Sequence, residues 1–195
     1  MLSFVSGEVV RRWRRFHERM LSASVAGYEG AVRGDVRIMD AVRAGRLPDT
    51  AELIFEYIAA TQAEIGQRVP ATPADLPASL RAEYADLGDV YPPPGTILIA
   101  DRAGQAIGCV ALKQTGPATA EVKRLYVRPA HRGGMGRALM HHLHQHAAAH
   151  GLHHLVLDVL ITRRHAIELY RTLGYAEIDT PSTTAVPLIL MERRS

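Results

Sequence analysis

The sequence predicts an α/β fold, a sheet flanked by helices, and three observations carry that expectation. From Asp35 onward, β-branched strand-like segments exchange with segments of helical apolar spacing. Two short strands are separated by a turn containing Gly104, the pattern of a hairpin. Further on, a strand ends at Val127, Pro129 turns the chain out of the sheet, and a glycine-dense turn opens an apolar-periodic helix. The 195 residues suit one ordinary domain, or one domain with an extension, and can bury a real core.

Residues 1–34 differ in character from the rest. Val9, Trp13, Phe16 and Met20 recur at helical spacing among Arg11, Arg12, Arg14, Arg15 and Arg19, which predicts a basic amphipathic helix over about residues 6–25. Gly27, Gly30 and Gly34 then break it. A membrane-surface or nucleic-acid arm is one reading. A helix docked on its own domain or on a partner subunit is the simpler one, because most amphipathic helices bury their apolar stripe. Nucleic acid is therefore not an expected partner, and residues 35–195 are taken as the functional domain.

In that domain Val36 and Ile38, with Ala41 beyond them, read as a first short strand. Leu53, Ile54, Tyr57, Ile58 and Ile65 give Thr50 to Gly66 helical periodicity, with Asp49 or Thr50 as its cap. Pro70, Pro73 and Pro77 lead into a shorter helix near Leu76 to Leu87, and Pro92, Pro93 and Pro94 form a stiff connector. Thr96 to Ala100 is apolar and β-branched, Asp101 to Gln105 turns the chain, and Ala106 to Lys113 returns as the paired strand. Glu121 to Val127 is a third strand of this half. Gly133 to His150 reads as a loop and helix, Leu155 to Leu160 as a buried strand and Arg164 to Leu173 as a helix. Tyr175 to Ile178 and Pro187 to Glu192 close the set.

Composition narrows the function classes. Hydrophobic content of 47% with 22% charged residues is that of a soluble globular protein, and no apolar run approaches the roughly 20 residues of a membrane-spanning helix. A single cysteine cannot form an internal disulfide, so a reducing, cytoplasmic setting is expected. That residue, Cys109, lies within an apolar strand and reads as core rather than nucleophile. Seven of the ten histidines fall in a run of fourteen residues, with His142, His146 and His150 aligned at i, i+4, i+8. No Cys, Asp or Glu stands among them, and Leu139, Leu143 and Ala147 hold the inner face. They are expected on a solvated outer face, and no metal is expected.

The chemistry concentrates in Glu121 to Met140, EVKRLYVRPAHRGGMGRALM. Glycines let backbone N–H groups approach an anion without obstruction by Cβ, and the free N–H groups and positive dipole end of the following helix favour negative charge. Arg132 and Arg137 add charge of the right sign. Taken alone, such a turn serves helix packing as readily as anion binding.

The block resembles motif A of the GNAT superfamily of acyl-CoA N-acyltransferases: a strand, then Arg or Gln, two variable residues, Gly, one variable residue, and Gly or Ala. His131, Gly134 and Gly136 fit that spacing with histidine in the Arg or Gln place; with Arg132 in that place the loop is one residue short. Ala166 to Ile178, AIELYRTLGYAEI, is similar to motif B, a tyrosine-bearing helix ending at Gly before an aromatic residue. Gly108 to Gln114, GCVALKQ, is similar to the strand that precedes motif A. The resemblance covers about Asp35 to Arg194. It implies the GNAT fold, a central mixed and mostly antiparallel twisted sheet with one parallel, splayed strand pair, flanked by helices. It further implies that acetyl-CoA, the acyl donor, lies in the V between Glu121 to Val127 and Leu155 to Leu160. Main-chain groups of Leu125, Tyr126 and Val127 would pair with the pantetheine arm as an added strand does. His131, Arg132, Gly133, Gly134, Met135, Gly136 and Arg137 would hold the pyrophosphate.

Acyl transfer to an amine needs a neutral amine, a polarised thioester carbonyl and a proton for the departing thiolate. Backbone N–H groups at the end of the Glu121 to Val127 strand supply the second. By resemblance Tyr170 is the candidate general acid and Glu121 the candidate base, each with a competing role: Tyr170 as a packing residue, Glu121 as the partner of a neighbouring lysine or arginine. The expected activity is acetyl transfer from acetyl-CoA to a primary amine of a small molecule or peptide. The alternative is an acyl-CoA-binding sensor or interaction module without turnover. Specificity would come from Thr50 to Pro94 and Thr180 to Pro187, where Glu52, Glu56 and Glu64 suit a cationic acceptor without excluding a protein amine. A homodimer is common in the family, and the sequence leaves the oligomeric state open.

Overall fold

A computed structural model describes residues 35–179 and 186–195. The amphipathic helix expected within residues 1–34, and residues 180–185 of the loop expected over the cleft, lie outside the described residues.

The sheet opens with β1 (Val36–Asp40), and α1 (Leu47–Glu64) follows. A 3-10 turn at Pro73–Asp75, α2 (Ala78–Ala85) and the single turn α3 (Leu87–Val90) lead to β2 (Thr96–Arg102) and β3 (Gln105–Gln114). Next come β4 (Thr119–Val127), a 3-10 turn at Pro129–His131, α4 (Met135–Ala149), β5 (His154–Leu160), α5 (Arg164–Thr172), β6 (Ala176–Ile178) and β7 (Leu188–Arg194). The seven strands lie in the order β1-β2-β3-β4-β5-β7-β6. Every pairing is antiparallel except β4 with β5. This is the mixed, mostly antiparallel sheet with one parallel pair that was expected.

Two apolar layers cover the sheet. On one face Leu139, Met140 and Leu143 of α4, with Ile167 and Tyr170 of α5, pack against Val110, Val122, Leu155 and Leu157. On the other, Leu53, Ile54 and Ile58 of α1 pack against Ile97, Ile99, Cys109 and Ala111. Central strands covered on both sides have no polar face to alternate with, which is why β2 and β3 read as continuous apolar runs. Ala103 and Gly104 turn β2 into β3 with φ of 51° and 86°, a two-residue turn with both central residues left-handed.

Several boundaries differ from expectation. Helix α1 begins at Leu47, not Thr50, and Arg46 precedes it. The Arg46 guanidinium donates to Asp49 at 2.7 Å, to Asp101 at 2.8 Å and to the Gly104 carbonyl at 3.2 Å. Asp49 is thereby held as an ion-pair partner instead of a cap, and the start of the helix is set by the distant hairpin. The single helix expected near Leu76 to Leu87 starts after Pro77, which disfavours helix in the residue before it, and is divided by a break at Asp86. The histidines of α4 are not all solvated. His146 Nε2 lies 2.8 Å from the Pro94 carbonyl oxygen, and His144 Nε2 lies 3.0 Å from the Tyr175 hydroxyl. Both rings fill gaps beside the apolar stripe, and burial lowers the basicity of each. Among the described residues, no group of three or more His, Cys, Asp or Glu converges as a metal site, and no helix is long and apolar enough to cross a membrane.

Candidate active site

Strands β4 and β5 pair only at Thr119, Ala120 and Glu121 against His154, Leu155 and Val156. From Val122 to Val127 the edge of β4 turned toward β5 has no strand partner. Its opposite edge remains paired with β3 through Tyr126 with Cys109 and Val127 with Gly108. An irregularity between Cys109 and Ala111 bends β4 at this point, and Arg124, at φ 57°, is the extra residue. The bulge therefore splays the strands and leaves the backbone of Leu125, Tyr126 and Val127 facing an open slot.

The glycine turn lies past the end of β4. Gly133 and Gly134 have φ of 96° and 107°, a region that a side chain would strain, and nothing stands within 4 Å of where a Cβ would sit on either. The first intrahelical bond of α4 runs from the Ala138 N–H to the Gly134 carbonyl. The amides that precede it in the first turn, up to Arg137, have no carbonyl to donate to within the helix. A Cβ on Gly136 would lie 3.4 Å from Leu169 Cδ2 of α5, so a side chain there would press on that helix. Of the side chains, His131 Nδ1 is 3.3 Å from an Arg102 guanidinium nitrogen. Arg137 donates to Thr172 Oγ1 at 2.8 Å, and Arg132 makes a long 3.4 Å contact to the Val127 carbonyl. The candidate anion site thus offers backbone amides, with Arg132 and Arg137 exposed at its rim.

Tyr170 is 7% exposed and its ring meets Tyr175 edge-on, centroids 5.7 Å apart. Burial raises its phenol well above the ordinary value; the Tyr57 phenol and Asp158 add to the rise, and the Arg163 guanidinium opposes it. At neutral pH the hydroxyl is protonated, as an acid must be before it acts. Of these neighbours Tyr57 lies on α1, whereas Tyr170 belongs to the apolar layer of α4 and α5.

Glu121 does not stand free. Its carboxylate accepts from Lys123 Nζ at 2.8 Å, two residues on along the same face of β4. Asp158 of β5 belongs to no motif in the sequence. Leu155, Leu157 and Val159 point into the α4 layer, so alternation turns Asp158 to the opposite, open face of β5. It is exposed, and its carboxylate makes no hydrogen bond or ion pair among the described residues. A lone carboxylate inside the apolar run Leu155 to Leu160 was the available signal. Tyr57, Arg163 and Arg124 were missed as well. The two guanidinium carbons lie 5.1 Å (Arg163) and 5.7 Å (Arg124) from the Tyr57 ring centroid. Tyr57 read as a core position because it sits at helical apolar spacing. Near the end of α1, a cleft of about 190 Å³ is lined by Glu64, Ile65, Gln67, Leu160, Thr162, Val186 and Pro187.

Comparison with known proteins accords with this arrangement. Residues 62–175 match the acetyltransferase (GNAT) family. The chain is 37% identical over 105 residues to an uncharacterized N-acetyltransferase of Schizosaccharomyces pombe, covering 52% of this chain and 64% of that protein, less than two thirds of its length. It is 36% identical over 107 residues to an IAA acetyltransferase of Azospirillum brasilense, covering 47% of this chain and 70% of that one. In fold it is similar to the PaiA N-acetyltransferase of Thermoplasma acidophilum, solved in complex with coenzyme A: TM-score 0.62, 18% identity, 83% of this chain and 100% of that one. With the splayed parallel pair, the glycine turn and the matched residues in one frame, the chain belongs to the GNAT acetyltransferase family.

Proposed function

We propose that residues 35–195 form an N-acetyltransferase domain, with residues 1–34 an extension to it, that moves an acetyl group from acetyl-CoA directly to a primary amine of a small molecule or peptide in a reducing, cytoplasmic setting. The observation that carries this reading is the slot between β4 and β5, with unpaired backbone along one wall and amide donors at one end, and with the Tyr170-bearing helix α5 following directly on β5. A pantetheine arm bonds to backbone at Leu125, Tyr126 and Val127, and the pyrophosphate meets the amides from Gly133 to Arg137. The likeness in fold to a protein solved with coenzyme A supports the donor.

In the reaction the amine nitrogen attacks the thioester carbon, backbone N–H groups at the end of β4 stabilise the oxyanion, and Tyr170 protonates the departing sulfur. Glu121 is the base named by the sequence. The unpaired, exposed Asp158 favours a second reading, in which this carboxylate receives the acceptor ammonium while Glu121 stays with Lys123.

The test is coenzyme A release from acetyl-CoA with a panel comprising a monoamine, a diamine, an α-amino acid and a lysyl peptide. Tyr170→Phe is expected to lower kcat by about a hundredfold or more. Of Glu121→Gln and Asp158→Asn, the variant with the larger loss identifies the base. Binding of acetyl-CoA without release for any amine supports the sensor reading instead.

A further inference from the structure

We infer that the acceptor is a monoamine with an apolar body: its ammonium faces Asp158, and a single ring-sized or branched hydrocarbon group fills the cleft between the end of α1, the end of β5 and the start of β7. The inference rests on the acetyl-transfer reading of the slot and names the class of acceptor for it.

The charges around the slot call for one ammonium. Glu56 accepts from Arg128 at 2.6 Å, and Glu64 accepts from Arg163 at 2.8 Å and from the Thr162 hydroxyl. Glu83 accepts from Arg124 at 2.6 Å and Glu121 from Lys123 at 2.8 Å. Even the exposed Glu52 has its carboxylate 3.8 Å from Arg128. The acids that composition assigned to a cationic acceptor, Glu52, Glu56 and Glu64, are therefore already answered by the chain's own arginines. Asp158 has no such partner and is left to receive a positive charge. A diamine would bring a second ammonium for which none of these other carboxylates is free.

The cleft calls for an apolar body beside that charge. Asp158 and Leu160 are alternate residues of β5, on one face of the strand and about 7 Å apart along it. Leu160 stands outside the α4 layer that holds Leu155, Leu157 and Val159, and it lines the cleft with Ile65, Val186 and Pro187. Glu64 and Thr162 in the same wall bond to each other, so the polar side of the cleft is largely satisfied from within. Its volume of about 190 Å³ compares with the roughly 150 Å³ of an apolar cavity that takes up benzene. A phenyl or branched alkyl group joined to the amine by a short linker spans the step from Asp158 to Leu160 and leaves water at both ends of that step.

The test uses the full chain at saturating acetyl-CoA and reads kcat/KM for the amine from coenzyme A release. Phenethylamine is expected to exceed both ethylamine and putrescine by about tenfold or more. Ile65→Asp puts a charge in the cleft wall and is expected to lower kcat/KM for phenethylamine about tenfold while that for ethylamine, and KM for acetyl-CoA, stay within about twofold. Pro187→Asp, at an exposed position that a polar side chain tolerates, is expected to give the same split and guards against a folding defect at Ile65. Ethylamine, putrescine or a lysyl peptide serving as well as phenethylamine overturns the inference and leaves the acetyl-transfer reading standing. So does a phenethylamine preference that neither variant reduces. Binding of acetyl-CoA with no release for any amine overturns the acetyl-transfer reading, and the inference with it.

Discussion

Replacing Glu83 with alanine tests how the slot keeps its shape. Glu83 of α2 accepts from Arg124 Nε at 2.8 Å and from its Nη2 at 2.6 Å, and it also accepts from the Tyr91 hydroxyl. The two charged side chains are only 13% and 14% exposed, and Arg124 is the bulge residue that parts β4 from β5. Alanine would leave a guanidinium nearly enclosed with no anion and a buried tyrosine hydroxyl with no acceptor. Breaking a buried pair in this way costs about 3–5 kcal/mol. Some water access and the freedom of short α2 to shift put the expectation near the lower end, about 3 kcal/mol. That lies within the roughly 5–15 kcal/mol stability of a domain, so the variant folds but unfolds at lower urea. Circular dichroism across a urea series reads the loss directly. The double variant Glu83→Ala with Arg124→Met removes the stranded cation and is expected to recover more than half of it.

The pH dependence of the Glu83 pair has a definite sign. Burial pushes the Glu83 carboxyl up, but the hydrogen bonds and charge of Arg124, aided by Tyr91, more than reverse this and hold it below the usual carboxylate value. A folded-state value below the unfolded one confers stability that is full above about pH 4.3 and is lost as pH falls through the lower folded value. The gap between wild type and Glu83→Ala is therefore expected to narrow in acid. A loss under about 1 kcal/mol at pH 7, or a double variant no better than the single one, refutes the reasoning.

Three further outcomes are expected. Gly134→Val forces a β-branched residue to φ near 107° and is expected to raise KM for acetyl-CoA at least about fivefold through displaced amides, with kcat at saturation nearly kept; an unchanged KM places the phosphates elsewhere. Cys109 is fully buried, and burial, opposed by the Arg124 charge and slightly aided by Glu56, pushes its thiol up to about 12. Alkylation by iodoacetamide should therefore follow global unfolding, and rapid labelling of native protein contradicts its place in the core. Burial, with Arg193 and His141, lowers His144 to about 4, so the folded state keeps this imidazole neutral while the unfolded chain protonates near pH 6.5. Stability is lost as pH falls across that window, by about 1–2 kcal/mol after allowance for partial exposure. His144→Phe should flatten the dependence of thermal midpoint on pH between 6.5 and 4, and an unaltered slope excludes the assignment.

Most of the fold was legible because its signals are local. The Ala103-Gly104 hairpin, the apolar stripe of α4 at Leu139, Leu143 and Ala147, and Pro129 ending β4 depend on neighbours a few residues away, where periodicity and turn chemistry act. The start of α1 was misplaced because Arg46 binds Asp101 and Gly104, more than fifty residues on. The α4 histidines were misassigned for the same kind of reason, since Pro94 and Tyr175 turn two of them inward.

The same division runs through the site. The sequence by itself determined the family, the glycine turn and the tyrosine-bearing helix, because backbone amides need only glycines and a helix start to present themselves to an anion. Only the tertiary structure decided which side chains share the slot. Glu121 is taken up by a lysine two residues away, whereas Asp158, unmarked in an apolar strand, is left unpaired on the open face. Arg163 and Tyr57 stand 106 positions apart in sequence and 5.1 Å apart in space. The open edge of β4 likewise arises from the parting of β4 and β5. That parting depends on a bulged residue anchored to a helix whose contact with the strand no local pattern records.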